Sequence, residues 1–257
     1  MEPQHLAAGQ GLKWIKQGWA LFKKSPLLWV VLLLICFVGV IGLSVLPVVG
    51  EPLASLLLPV ILAGLMSGCR ALEQGDELEL AHLFSGFKHR TTQLVTLGGI
   101  ALVGQFLIFG VMIMVGGATL VSILMSADPP KDPEIIRQAI SGASAAMLIG
   151  ITLFSIIVMS MQFAPMLVFF NNLAPLAAMK LSLRAFLRNM GAISVYGIIF
   201  FMLAILASIP MMLGWFVLMP IIFTSTYAAY CDIFPPVKEN REPSTENNAF
   251  APGKDIF

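Results

Sequence analysis

The sequence predicts an all-α integral membrane protein with six transmembrane helices and three amphipathic helices lying at one membrane face. Three observations carry this. Of 257 residues, 58% are hydrophobic and 11% charged, whereas soluble domains hold about 25% charged and 45–50% apolar residues. The apolar residues are gathered into six runs of 16 to about 35 residues, against the roughly 20 that a helix needs to cross about 30 Å of hydrocarbon. Thirteen of the fifteen Lys and Arg residues fall on one side of those runs.

The first element is the stretch "GLKWIKQGWALFKKSP". At 100° per residue, Leu21, Trp14, Gly18, Phe22, Ile15 and Trp19 share one arc, while Lys13, Lys16, Lys23 and Lys24 lie on the other. Such a helix lies in the headgroup plane, with its rings in the acyl boundary and its lysines toward phosphate. Pro26 suits the first turn of the helix that follows. The first apolar run, Pro26 to Val49, has some 25 residues before it and no small-residue cleavage site after it, so it reads as a retained span.

The remaining runs are Leu53 to Leu72, Thr91 to about Met125, Gly142 to Phe170, Gly191 to Leu213 and Trp215 to Tyr230. The first amphipathic pattern recurs before the third and fifth of the six runs. In "LELAHLFSGFKHR", Leu80, Leu83, Phe84 and Phe87 share a face and Lys88, His89 and Arg90 close the segment. In "LAAMKLSLRAFLRN", Leu176, Met179, Leu183, Phe186 and Leu187 share a face edged by Lys180, Arg184 and Arg188. Each even-numbered run carries an internal proline: Pro59, Pro165 and Pro220. These are expected to bend or break their helices. The pattern reads as three divergent repeats of interfacial helix plus hairpin, at about 11–75, 76–172 and 173–234, within one transmembrane domain, 1–234. The polar, proline-rich segment 235–257 is expected to be a disordered tail.

With both termini and the amphipathic helices in the cytoplasm, only Lys131 and Arg137 of the Lys and Arg residues lie outside, which satisfies the positive-inside rule. The nine basic residues of the amphipathic segments, Lys13, Lys16, Lys23, Lys24, Lys88, Arg90, Lys180, Arg184 and Arg188, are the candidate contacts to anionic lipid headgroups. A net charge of +1 suggests no nucleic-acid partner.

The runs hold no Asp, Glu, Lys, Arg or His in their interiors, which argues against proton-coupled transport. Gln105, Gln162, Ser155, Ser160, Thr224, Ser225 and Thr226 lie at depth. They serve either as hydrogen-bonding glue between helices, the favoured reading, or as the lining of a polar cavity at the proline breaks. Ser55, Pro59, Ala63, Ser67 and Ala71, with Gly64 and Gly68 beside them, and Gly142, Ala146 and Gly150, form stripes that let helices approach closely. No hydrolase, metalloprotease or nucleotide-binding motif is present, and His5, His82 and His89 have no metal-ligand spacing. Cys36, Cys69 and Cys231 are widely spaced, so no disulfide is expected. Arg70, Glu73, Asp76, Glu77 and Glu79 read as a solvated mixed-charge loop. Asp232 either meets a partner or merely ends the last span. No enzyme, cofactor or metal site is expected.

The blocks "GLKWIKQGWALFKKSPLLW" and "LLLPVILAGLMSGCRALEQGDELELAHLFSGF" resemble a family of uncharacterised proteobacterial multi-pass membrane proteins. More remotely, the pattern is similar to the membrane domains that accompany some glycerophosphodiester phosphodiesterases, whose hydrolase domain is absent here. The resemblance implies a bacterial inner-membrane location and supplies no functional residues. Two roles then stand: a non-enzymatic module engaging anionic lipid or organising a protein partner or second copy, and alternatively a transporter or channel for a small or amphipathic solute. Reporter fusions should place positions near Asp76, Lys180 and Lys254 in the cytoplasm and a position near Lys131 outside; a C-terminus outside would overturn the topology.

Overall fold

The computed structural model describes residues 2–117, 125 and 133–235. Lys131 and the tail beyond Pro235 lie outside the described residues. The elements are α1 (Gln10–Lys24), α2 (Pro26–Ser44), α3 (Gly50–Gln74), a 3₁₀ turn (Leu80–Phe84), α4 (Ser85–Lys88), α5 (Thr91–Met112) with a π turn (Ile113–Gly117), α6 (Pro133–Met161), α7 (Ala164–Asn171), α8 (Pro175–Arg188), α9 (Met190–Ser208) and α10 (Trp215–Ile233). Among the described residues, six stretches of 18 to 32 residues are long and apolar enough to cross a membrane: Pro26–Leu43, Gly50–Gln74, Thr91–Gly116, Ile140–Asn171, Met190–Ser208 and Trp215–Ile233. The chain is an all-α multi-pass membrane protein.

Burial is concentrated toward one end. There α1, α7, α8 and the C-terminal halves of α3 and α10 enclose Trp14, Trp29, Val60, Leu167 and Ile233. At the far end of the hairpins the apolar side chains face outward, with Phe106 63% exposed and Met211 93% exposed. Water would not favour that surface, whereas hydrocarbon requires it.

α1 corrects the expectation of a helix resting on lipid. Its seam of Gly11, Trp14, Gly18 and Phe22 is buried in protein, against α9 and α10. A Cβ on Gly18 would stand 2.6 Å from the Ser225 amide nitrogen and 2.7 Å from its Cβ, so only glycine permits this approach. The Thr224 hydroxyl donates to the Gly18 carbonyl at 2.9 Å. Trp19, on the same predicted arc, stays exposed. The arc is wider than the contact, so it divides between protein and lipid. Lys13, Lys16 and Lys23 point away from the seam and are exposed, while Lys24 Nζ donates to the Leu72 carbonyl at the end of α3.

The second amphipathic segment is also corrected. It forms a 3₁₀ turn and one short helix folded across α3, not a single interfacial helix. The small-residue stripe accepts it: a Cβ on Gly64 would collide with the Leu83 carbonyl and stand 2.8 Å from that of His82. Leu83 is buried, but Leu80, Phe84 and Phe87 are exposed. In α8 the buried seam is Ala178, Ser182 and Ala185, and Leu176 and Leu187 face outward. Small residues win the protein-facing side because they let backbones close up.

The three prolines behave differently. α3 and α10 continue through Pro59 and Pro220, so of the expected bends or breaks neither helix breaks there, since a proline removes one backbone donor and the flanking turns hold. Only at Pro165 does a helix stop and restart, between Met161 and Ala164. There the buried Ser182 hydroxyl accepts from the Phe163 amide at 3.0 Å and donates to the Met159 carbonyl at 2.9 Å. It satisfies two backbone groups that the interruption frees.

Gly18→Leu should cost about 1–3 kcal/mol through overpacking, lowering the thermal midpoint in mild detergent by about 2–4 °C per kcal/mol. Gly39→Ala should not lower it, because a Cβ at Gly39 meets nothing within 4 Å.

Candidate functional site

A cleft of about 460 Å³ opens at the end of the molecule where α3, α4, α5 and α7 meet. Its cationic side comes from Arg70, in the last turns of α3, and from Lys88 and Arg90, at the junction of α4 and α5. His89, Ser67 and Asn172 add polar groups, and Phe169 and Phe170 form an apolar wall.

The sequence builds this junction locally. His89 is extended, with φ −128°, and Arg90 is left-handed, with φ 60°. These two residues separate α4 from α5. The Thr91 hydroxyl donates to the Phe87 carbonyl at 2.7 Å and the Gly86 carbonyl at 3.1 Å, which ties the turn back to α4. Arg90, at the N-cap of α5, has no acceptor and leaves the helix without a side-chain cap, so its first amide groups add positive potential. Asn172, across the cleft, is also left-handed, with φ 57°. Asparagine tolerates that region, whereas arginine there carries local strain of the kind that collects at binding sites.

The wall is held from behind. Arg70 stacks its guanidinium over Phe170, 5.2 Å from the ring centroid. Phe170 in turn packs against Phe169, Tyr227 and Tyr230. Tyr227 donates to the Glu73 carboxylate at 2.6 Å, and Tyr230 donates to Asn171 Oδ1. Glu73, one turn from Arg70, is thereby bonded to Tyr227 instead of neutralising the arginine. Among the described residues, none of Arg70, Lys88 and Arg90 lies within ion-pair distance of a carboxylate; Arg137 has such a partner in Glu134, at 2.7 Å.

Of the nine sequence-predicted contacts, the cleft gathers Lys88 and Arg90. Lys13, Lys16 and Lys23 on α1, and Lys180, Arg184 and Arg188 on α8, are exposed outside it. Sequence reasoning placed Arg70 in a solvated loop and passed over Asn172 and Phe170. The signal available was the run "FFNN", two aromatics followed by two amides at a predicted span end. Asp232 is an internal anchor: its Oδ2 accepts from Gln10 Nε2 at 2.6 Å and Trp14 Nε1 at 2.8 Å. Of the deep polar residues, Ser225 and Thr226 bond the Tyr196 hydroxyl, and Ser155 and Ser160 bond their own helix. Gln162 lines a second cavity, of about 190 Å³, with Trp14, Phe163, Phe186 and Tyr196 at the Pro165 interruption. Among the described residues, no three His, Cys, Asp or Glu side chains gather as a metal site.

The chain is 30% identical over 249 residues to a Burkholderia thailandensis protein named a "Probable inner membrane protein", an alignment covering 91% of this chain and 92% of the relative. The chain belongs to that family of inner-membrane proteins. With its six apolar helices, this makes it a multi-pass protein of the inner membrane. No family model matches it, and no solved structure matches it.

Asn172→Val should cost about 1–2 kcal/mol, the penalty of a left-handed backbone for a β-branched residue that lacks the local polar contacts by which asparagine tolerates it. Asn172→Gly should stay within about 0.5 kcal/mol of the parent. Thermal unfolding of the detergent-solubilised variants checks both.

Proposed function

We propose that this protein is a non-enzymatic inner-membrane module that holds anionic lipid headgroups in its basic cleft on the cytoplasmic side. The observation that carries the reading is the trio Arg70, Lys88 and Arg90, which share one cleft without a carboxylate partner. Each cation near an anionic leaflet is worth about 1 kcal/mol. A guanidinium forms paired hydrogen bonds to phosphate oxygens, and the phenylalanine wall suits the apolar beginning of an acyl chain. The exposed lysines of α1 and the basic row of α8 add a diffuse attraction for the same leaflet, with cytoplasmic termini following from the charge asymmetry.

The cavity at the Pro165 interruption favours a second reading, a carrier of a small amphipathic solute, because broken helices line many transport sites. It is the weaker of the two, since Ser182 already satisfies two of the backbone groups freed there.

In nanodiscs of mixed phosphatidylglycerol and phosphatidylcholine, the full chain should retain phosphatidylglycerol through delipidation, read by native mass spectrometry. Arg70→Gln with Lys88→Gln should reduce that retention by about tenfold or more. Lys13→Gln with Lys16→Gln should leave most of it. Equal loss in both pairs would reject the cleft as the site.

A further inference from the structure

We infer that the group seated in the cleft is a phosphomonoester, a terminal phosphate bearing close to two negative charges, in preference to a phosphodiester. The inference rests on the reading of the cleft as a headgroup site and narrows the chemistry of its occupant.

Two features of the cleft set that chemistry. The first is charge. Arg70, Lys88 and Arg90 place three cations around one space, the uncapped start of α5 adds partial positive charge, and no carboxylate lines it. A phosphodiester brings one negative charge and leaves most of this field uncompensated. A phosphomonoester brings about 1.5 to 2. The second feature is donor number. The Arg70, Lys88 and Arg90 head groups, the Asn172 amide and the Ser67 hydroxyl have no hydrogen-bond acceptor of their own among the described residues. A diester phosphate offers two unesterified oxygens, whereas a monoester offers three strong acceptors. The larger acceptor set matches a cleft that is rich in free donors.

The cleft also joins polar to apolar. Phe169 and Phe170 stand beside the cations, and a volume of about 460 Å³ lies within the range of small-molecule sites. It accommodates a phosphate together with the first atoms of the group that carries it. That group is either a diacylglycerol, as in phosphatidate, or the carbon skeleton of a soluble phosphate ester. The recognition chemistry is common to both.

The test uses the full chain in phosphatidylcholine nanodiscs doped with equal amounts of phosphatidate and phosphatidylglycerol, with bound lipid counted by native mass spectrometry. Phosphatidate should be retained about two- to fivefold over phosphatidylglycerol, the factor that a further half to one charge is worth. Arg90→Asn removes one cation while keeping a residue that accepts the left-handed backbone, and Arg70→Gln removes another. Either should bring the ratio close to one, and Arg70→Lys should restore part of it, which also shows that the loss is not unfolding. Equal retention of both lipids by the parent would overturn the monoester inference and leave the anionic-lipid reading standing. Retention of neither above its bulk fraction would overturn both. Inorganic phosphate at millimolar concentration is the last arm. Displacement of phosphatidate supports the inference with a soluble phosphate ester as occupant, and resistance to displacement supports it with a lipid.

Discussion

In hydrocarbon, a backbone N–H or C=O without a partner costs several kcal/mol, and several departures from regular helix among the described residues answer that constraint. The interruption before Pro165 is bridged by the Ser182 hydroxyl, buried and bonded on both sides of the gap. The irregular N-terminal segment is held by Asn189, whose Oδ1 accepts from the Leu6 amide and whose Nδ2 donates to the Gln4 carbonyl, while the Gln4 amide reaches the Ile233 carbonyl. Thr224 serves the same end by donating to Gly18 on a different helix. A few small polar side chains thus allow the chain to break, turn and dock where its surroundings are apolar.

A second consequence concerns packing. Lipid tails are as apolar as leucine, so helices gain little by burying leucine against one another, and close backbone approach becomes the main attraction. Gly18 on Ser225, Gly64 on the 82–83 backbone and the Ala178–Ser182–Ala185 seam all follow this rule. The large side chains divide by place. Trp14 and Trp29 fill the enclosed end, while Phe106, Phe109, Phe201, Met202 and Met211 on the hairpins face outward.

The enclosed end is also where charge collects without being cancelled. Asp232 and Glu73 are acidic groups near that end, and each is bonded to neutral donors: Asp232 to Gln10 and Trp14, Glu73 to Tyr227. Two carboxylates are thereby used for internal structure, and the arginines and lysine of the cleft keep their positive field. Stability and binding chemistry are coupled at this point, because the tyrosines that engage Glu73 and Asn171 also buttress the Phe170 wall on which Arg70 rests.

The sequence by itself determined the membrane class, the six apolar helices and the segregation of positive charge, because these depend on composition and on runs long enough to cross hydrocarbon. It also marked the small-residue stripes as packing surfaces. Only the tertiary structure decided which neighbour each face would meet. A hydrophobic arc such as that of α1 looks the same in sequence whether it rests on lipid or on protein; the glycines at 11 and 18 tip it toward α9 and α10, and that choice depends on the surface presented there. Pro59, Pro165 and Pro220 look alike in sequence, but only at Pro165 does the helix stop, where Ser182 on the following helix, α8, meets the freed backbone. The cleft was hidden for the same reason. Arg70, Arg90 and Asn172 lie far apart in the chain, and local periodicity carries no information about which helix ends converge.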